Sequence, residues 1–324
     1  MGSFTRELFE QLSAPGPRLD WLIPWLTGTV WSAERFATLP SDRYLMEGER
    51  TVNEVEEVIA AAAPRIYDEL TVVPDGRTIS RFLDAPDPCV VVVFDGLSLR
   101  EIPALLRLGS AAGLRLAEEG ASLAAVPSET MDFVDQRLGC GRVAPSQLAG
   151  RRDLKDRGVA CYYYAHPGER HSLDGRARVL LLWSAFPDNT YADSGARFAE
   201  HFAQNQAPLE AAWKATVMSI PKGRRILVTS DHGYVFLGAG LSFSRHKEEL
   251  RALTAYLGGE RYARLNEQGE PPEHDDLAVY RDRGVAVLRG RIHPHPPGPA
   301  AARLYKHGGL SLMEMLTPWL VFAS

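Results

Sequence analysis

The feature that most constrains this chain is a continuous apolar run, Val90-Val91-Val92-Val93-Phe94, that stops abruptly at Asp95-Gly96. A β-branched run of this length, bounded by a turn signal, predicts a strand buried on both faces. Comparable runs recur at residues 121–126, 161–164, 179–183, 226–229 and 285–288, separated by helical stretches. That alternation predicts a largely parallel sheet flanked by helices, in the α/β class. The helix after the first strand is expected to run through Pro103 to about Leu116.

Residues 1–87 have a different texture and are expected to form a small helical segment. Trp21, Leu22, Trp25 and Leu26 recur at one-turn spacing, and Val52, Val55, Val58, Ile59 and Ala62 mark a later apolar stripe. Core packing accounts for these tryptophans. The segment Leu83-Asp84-Ala85-Pro86-Asp87-Pro88 has the composition of a linker, so residues 88–324 are expected to form the main domain.

The net charge of -5 argues against a protein that coats nucleic acid by neutralising phosphates. The three cysteines, Cys89, Cys140 and Cys161, are odd in number and widely spaced, which predicts neither a disulfide framework nor a thiolate metal site. No apolar run reaches the roughly 18 residues of a membrane span, and the N-terminus lacks the apolar core of a signal peptide. The cytoplasm is the expected location.

In open α/β sheets, ligands gather beyond the carboxyl ends of the strands. Here those ends carry metal-ligand types: Asp95 after Phe94, the turn Pro127-Ser128-Glu129-Thr130 after Val126, Asp188 and Asp193 after Trp183, and Ser230-Asp231-His232-Gly233 after Thr229. His307, in Tyr305-Lys306-His307-Gly308-Gly309, is a candidate to join them. Carboxylates and imidazoles converging in this way suit a two-metal centre for phosphate-ester hydrolysis. Thr130 is the candidate nucleophile, because it opens a helix over residues 131–138, where free N–H groups favour an anion. The competing reading makes Thr130 a helix cap, and Ser128 would serve equally well as one.

Other polar clusters rank lower. His293 and His295 alternate in a proline-rich segment. His274-Asp275-Asp276 reads as a solvated loop, and the charges between Arg151 and Arg157 alternate in sign, as on a solvated surface. Tyr162-Tyr163-Tyr164 suits a strand with alternating burial.

The ordered set residues 91–96, Pro127-Ser128-Glu129-Thr130, Thr229-Ser230-Asp231-His232-Gly233, and Lys306-His307-Gly308-Gly309-Leu310-Ser311 through Glu314 to Pro318 resembles the PglZ domain. The resemblance spans roughly residues 88–324. It implies an alkaline-phosphatase-like core with two divalent metal ions, usually zinc, and a threonine or serine nucleophile. By position, Asp95, Thr130, Asp231 and His232 would hold one ion, and Asp188, Asp193 and His307 the other. Related enzymes place a histidine soon after the aspartate corresponding to Asp188, and this chain has none there. With Asp193 in its place the second site would be oxygen-rich and would tolerate manganese or magnesium; otherwise that site is weakened.

The resemblance further implies a phosphodiesterase or phosphatase acting on a phosphoester or nucleotide, in bacterial phage defence or signalling, with separate ATPase or nuclease partners. The chain itself has no GxxxxGK[ST] loop. The alternative is a catalytically weak scaffold or ligand-sensing module of a defence complex.

Overall fold

A computed structural model describes residues 10–12, 14, 16–73, 76–193, 198–238, 240–293 and 305–323, with the side chains of 192 and 193 outside that description. A six-stranded sheet is built from β1 (Cys89–Phe94), β2 (Arg115–Leu123), β3 (Val159–Tyr164), β4 (Val179–Ser184), β5 (Arg225–Thr229) and a C-terminal strand, Leu316–Ala323. Between β5 and that strand lie β6 (Val235–Phe236), β7 (Tyr262–Arg264), β8 (Leu277–Tyr280), β9 (Val285–Leu288) and β10 (Tyr305–Lys306), so the C-terminal strand is β11. The spatial order is β2-β11-β5-β1-β4-β3. Strands β3, β4, β1 and β5 are mutually parallel, and β11 is antiparallel to both of its neighbours. Strand β2 therefore runs with the parallel set, and five carboxyl ends share one edge with the amino end of β11.

Valines alternate between the two faces of β1 because successive side chains on a strand point to opposite sides. Val90, Val92 and Phe94 join a cluster with Val52, Val55 and Ile59 of the helix Ser41–Ala62, while Val91 and Val93 pack with Phe133, Val134 and Leu138 on the other side. The expected stripe on the first of these helices holds except at Ala62, which is exposed. Trp21 and Trp25 stack on each other at 5.8 Å and lie against the core. No helix among the described residues is long and apolar enough to cross a membrane.

Three expectations are corrected. The helix after β1 covers Ile102–Ala111 only, because the chain turns at Gly113, with φ +73°, and Leu116 belongs to β2. Strand β2 runs from Arg115 to Leu123 instead of 121–126. It lies at the sheet edge, where Glu118 and Glu119 reach solvent while their backbone pairs with β11, so polarity concealed its first half. Strand β9 lies outside the main sheet, at the centre of a three-stranded antiparallel sheet ordered β7-β9-β8. An apolar run alone does not say which sheet it joins.

Candidate metal centre at the carboxyl edge of the sheet

Asp95 extends β1 by one residue, its N–H donating to Ser184 O at 2.9 Å. Gly96 then turns with φ +77°, a region that favours glycine, and its N–H donates to Asp231 Oδ1 at 3.1 Å. The ends of β1 and β5 are thereby tied together. Ser230 reinforces the tie: its Oγ accepts from Leu97 N at 2.9 Å and lies 2.6 Å from Phe94 O.

Asp231 and His232 are fully buried. His232 Nδ1 lies 2.9 Å from Gly233 O, and a carbonyl can only accept, so the proton is assigned to Nδ1 and Nε2 is left free. That nitrogen faces Thr130 Oγ1 at 3.3 Å, Asp95 Oδ1 at 3.5 Å and Asp231 Oδ2 at 3.6 Å. Gly233 permits the close passage of the last loop, since a Cβ there would sit 2.1 Å from Met313 O.

Thr130 is the first residue of the helix Thr130–Leu138, and the residue at its cap position, Glu129, makes no side-chain cap bond. Ser128 is not a cap either: its Oγ donates to Gly309 O at 3.0 Å and accepts from Gly308 N at 2.8 Å. The Thr130 hydroxyl instead lies 3.4 Å from Asp95 Oδ1 and 3.3 Å from His232 Nε2. The geometry disfavours the cap reading for both hydroxyls.

Asp188 opens a short turn after β4, and its N–H donates to Asp95 O at 3.0 Å. His307 arrives from the loop between β10 and β11. Its Nδ1 lies 3.1 Å from Ser128 O and 3.0 Å from Glu129 Oε1, which turns Nε2 toward Asp188 Oδ1 at 3.8 Å. The His307 ring stacks on His232 at 4.1 Å. This loop is held by Glu314, which accepts from the N–H groups of Gly309 and Ser311 and from Nε and Nη2 of Arg261 at 2.7 and 2.8 Å. A Cβ on Gly309 would come within 2.6 Å of that guanidinium.

Donor atoms from Asp95, Asp231 and His232 lie within 4.8 Å of one another, as do donor atoms from Asp188, His232 and His307. The first set, with Thr130 beside it, matches the grouping expected from the sequence. The second contains His232 in place of Asp193, whose side chain lies outside the described residues, as does His295. Neither group includes His293. His274 and Asp276 are used structurally, with Asp276 N donating to His274 Nδ1 and the Asp276 carboxylate gripping Arg245 at 2.6 and 2.9 Å. Tyr164 is buried, whereas Tyr162 and Tyr163 are partly exposed.

Burial raises the Asp95 carboxyl well above its ordinary range, and the neighbouring Asp231 and Asp188 push it further. For His307, burial opposes the charged form, but Glu129 first and then Asp188 outweigh it and hold the imidazole well above its usual value. Glu129 responds in the opposite sense: burial raises its pKa, and His307 overcomes that and brings it below the ordinary value. Trp183 carries no role in the sequence reading, and Glu129 enters it only as a carboxylate in the turn before Thr130. Glu129 adjoins Thr130 in the quoted turn, which is a usable signal. Trp183, whose Nε1–H donates to Asp95 Oδ2 at 3.2 Å, looks from the sequence like one more apolar strand residue.

No protein-family model matches the chain. No curated protein matches it. Among solved structures, murine ectonucleotide pyrophosphatase/phosphodiesterase 5 is 15% identical with a TM-score of 0.42, the match covering 74% of this chain and 88% of that one. The human form is 12% identical with a TM-score of 0.40, covering 72% and 87%. Phosphonoacetate hydrolase from Sinorhizobium meliloti 1021, in complex with phosphonoacetate, is 12% identical with a TM-score of 0.35, covering 72% and 89%.

Proposed function

We propose that this chain is a metal-dependent phosphohydrolase that cleaves nucleotide-type phosphodiesters with Thr130 as nucleophile. The observation that carries the reading is the Thr130 hydroxyl, on the first turn of a helix, within 3.4 Å of both Asp95 and His232. The donor set fits divalent cations. Asp231 Oδ2 is buried with no hydrogen-bond partner among the described residues, an expensive state for a carboxylate oxygen unless a cation satisfies it. Asp95, Thr130, Asp231 and His232 would hold one ion. Asp188 and His307 would contribute to the second, with Asp193 as the further ligand taken from the sequence. Zinc suits the mixed nitrogen and oxygen donors, and manganese or magnesium suits an oxygen-rich second site. When bound, the cations would supply the positive charge that favours the threonine alkoxide and offsets charge developing on the phosphate.

The remaining chemistry belongs to the chain. Thr130 Oγ releases its proton to solvent and attacks phosphorus opposite the leaving oxygen. The bond from phosphorus to that oxygen breaks, and the departing oxygen takes a proton from solvent. The N–H groups of the first helical turn, which have no partner within the helix, would face the phosphate oxygens. Water then displaces Thr130 from phosphorus, which restores the hydroxyl. Glu129 and Ser128 O keep the His307 ring oriented by accepting at Nδ1, as outer-shell partners of metal-binding histidines do.

A diester carries one negative charge near neutrality and a monoester two. Carboxylates surround Thr130, the guanidiniums of Arg142 and Arg264 gather on Asp132, two residues further along the helix, and Arg137 donates to Ala124 O, so this positive charge is held away from the Thr130 hydroxyl. This arrangement favours the less charged substrate. The expected outcome is a higher kcat/KM for an aryl phosphodiester than for the matching monoester under identical zinc or manganese loading. A monoester preference of tenfold or more, about 1.4 kcal/mol in transition-state terms, would contradict the diesterase assignment. Turnover of neither ester would favour a scaffold or sensing role.

The PglZ resemblance of residues 88–324 supports a setting in bacterial phage defence or signalling, beside separate ATPase or nuclease partners. The free cysteines Cys89, Cys140 and Cys161 fit a reducing, cytoplasmic compartment.

A further inference from the structure

Beside the Thr130 cluster lies a second gathering of charge. Asp132 is buried, and its Oδ2 atom is shared by two guanidiniums, Arg142 Nη2 at 3.3 Å and Arg264 Nη2 in closer contact. Arg142 follows the nucleophile helix in the chain, whereas Arg264 arrives from β7, more than a hundred residues later. Two full positive charges thus meet one carboxylate and leave an excess of one. Glu129, three residues before Asp132, is already engaged with His307.

The side chain of Arg142 is 41% exposed, which leaves it accessible to a ligand from solvent. Tyr262 connects this pair to the centre. Its ring lies against Gly308, next to His307, where a glycine Cβ would approach it to 2.7 Å, and the Arg264 guanidinium sits 5.5 Å from the ring centroid.

Asp132 follows Thr130 by two residues on a helix about 10–12 Å across with its side chains, so the guanidiniums held on its carboxylate lie on the order of 10 Å from the Thr130 hydroxyl. That is too far for the neighbouring phosphate of a diphosphate and comparable with the span of one nucleotide unit. Guanidiniums are well suited to such a group, since their forked donors match phosphate oxygens.

We infer that Arg142 and Arg264, gathered on Asp132 and flanked by Tyr262, form a second phosphate subsite, so that the centre favours phosphodiesters bearing another phosphate one nucleotide unit from the scissile bond. The inference rests on the proposed hydrolase reading only for the identity of that scissile bond. The subsite itself is tested by binding.

Titration calorimetry of zinc-loaded protein would compare thymidine 3′,5′-bisphosphate with thymidine 5′-monophosphate. The bisphosphate is expected to bind at least about tenfold more tightly, the advantage shrinking as salt is raised because the contact is charge-based. In Arg142→Met the advantage should fall below about threefold, and in Arg142→Lys, which keeps the charge but loses the fork, it should be intermediate. Equal affinities in the wild type, absence of binding by either nucleotide, or an advantage that survives Arg142→Met would each overturn the subsite. Hydrolysis of an aryl phosphodiester by the same preparation separates the two readings: selective bisphosphate binding without turnover keeps the subsite and removes the hydrolase.

Discussion

Replacing Thr130 with alanine should abolish turnover while leaving the fold intact. The hydroxyl is the attacking group in the proposed reaction, and no other described side-chain hydroxyl contacts both Asp95 and His232. Loss of kcat by roughly 10^4-fold or more is expected, less than the ~10^6 lost when a serine hydrolase loses its nucleophile, because water can attack in its place. Stability should change little. Thr130 is partly exposed and makes no cap bond, so its loss should cost no more than a typical cap deletion, about 0.5–2 kcal/mol. Steady-state kinetics beside a thermal melt reads both quantities. Near-normal turnover in Thr130→Ala would remove the hydroxyl from the mechanism, and a collapse of the melt would mean its role is structural.

The largest loss of stability should come from Glu49, a residue outside the proposed ligand set. Glu49 lies on the helix Ser41–Ala62, fully buried, between Arg100 Nε at 2.5 Å and Arg291 Nη2 at 2.6 Å. Burial alone would raise its pKa, but Arg100 and then Arg291 outweigh that and bring it below its ordinary value. Glu56, two turns along the same helix, differs. Arg291 approaches it only to 4.0 Å, and burial pushes it up to about 7.

Glu49→Ala would leave two buried guanidiniums without their shared counter-charge. Breaking a buried pair in this way costs about 3–5 kcal/mol. The expected result is a denaturation midpoint lowered accordingly. A change below about 1 kcal/mol would mean that water or Glu56 takes over the charge. The damage should also reach the site, because Arg100 donates to Tyr234 O and Ser98 Oγ in the segments that follow His232 and Asp95.

The legibility of this fold followed burial. Strands enclosed on both faces, β1, β4 and β5, are continuous apolar runs, and each begins or ends within one residue of its expected bounds. Strand β2 is half concealed because an edge strand tolerates glutamates, and the motif running to Pro318 carries no expectation of a strand, although β11 enters the sheet there between β2 and β5. Asp95, Asp188, Asp231 and His232 are visible as ligand types just beyond β1, β4 and β5, whose ends the parallel sheet brings to one edge, whereas Thr130 and His307 reach that edge on a helix and on a loop. The side chains that hold them are not visible in that way. Glu49, Glu129, Arg261 and Glu314 are charged residues whose partners lie far off in the chain or arrive through a loop, and nothing in local periodicity marks a charge that will be buried. Arg264 is the sharpest case. It reaches the nucleophile helix from 132 positions away, so nothing in the sequence around Asp132 marks its arrival.

Metal content tests the central claim most directly. Elemental analysis of purified protein should find between one and two divalent ions per chain, with Asp231→Ala and His232→Ala each lowering that number, because both residues belong to the proposed ligand set and His232 faces both candidate groups. Chelation should remove turnover, and added zinc or manganese should restore it. Protein that takes up neither metal, with turnover indifferent to chelator, would contradict the account.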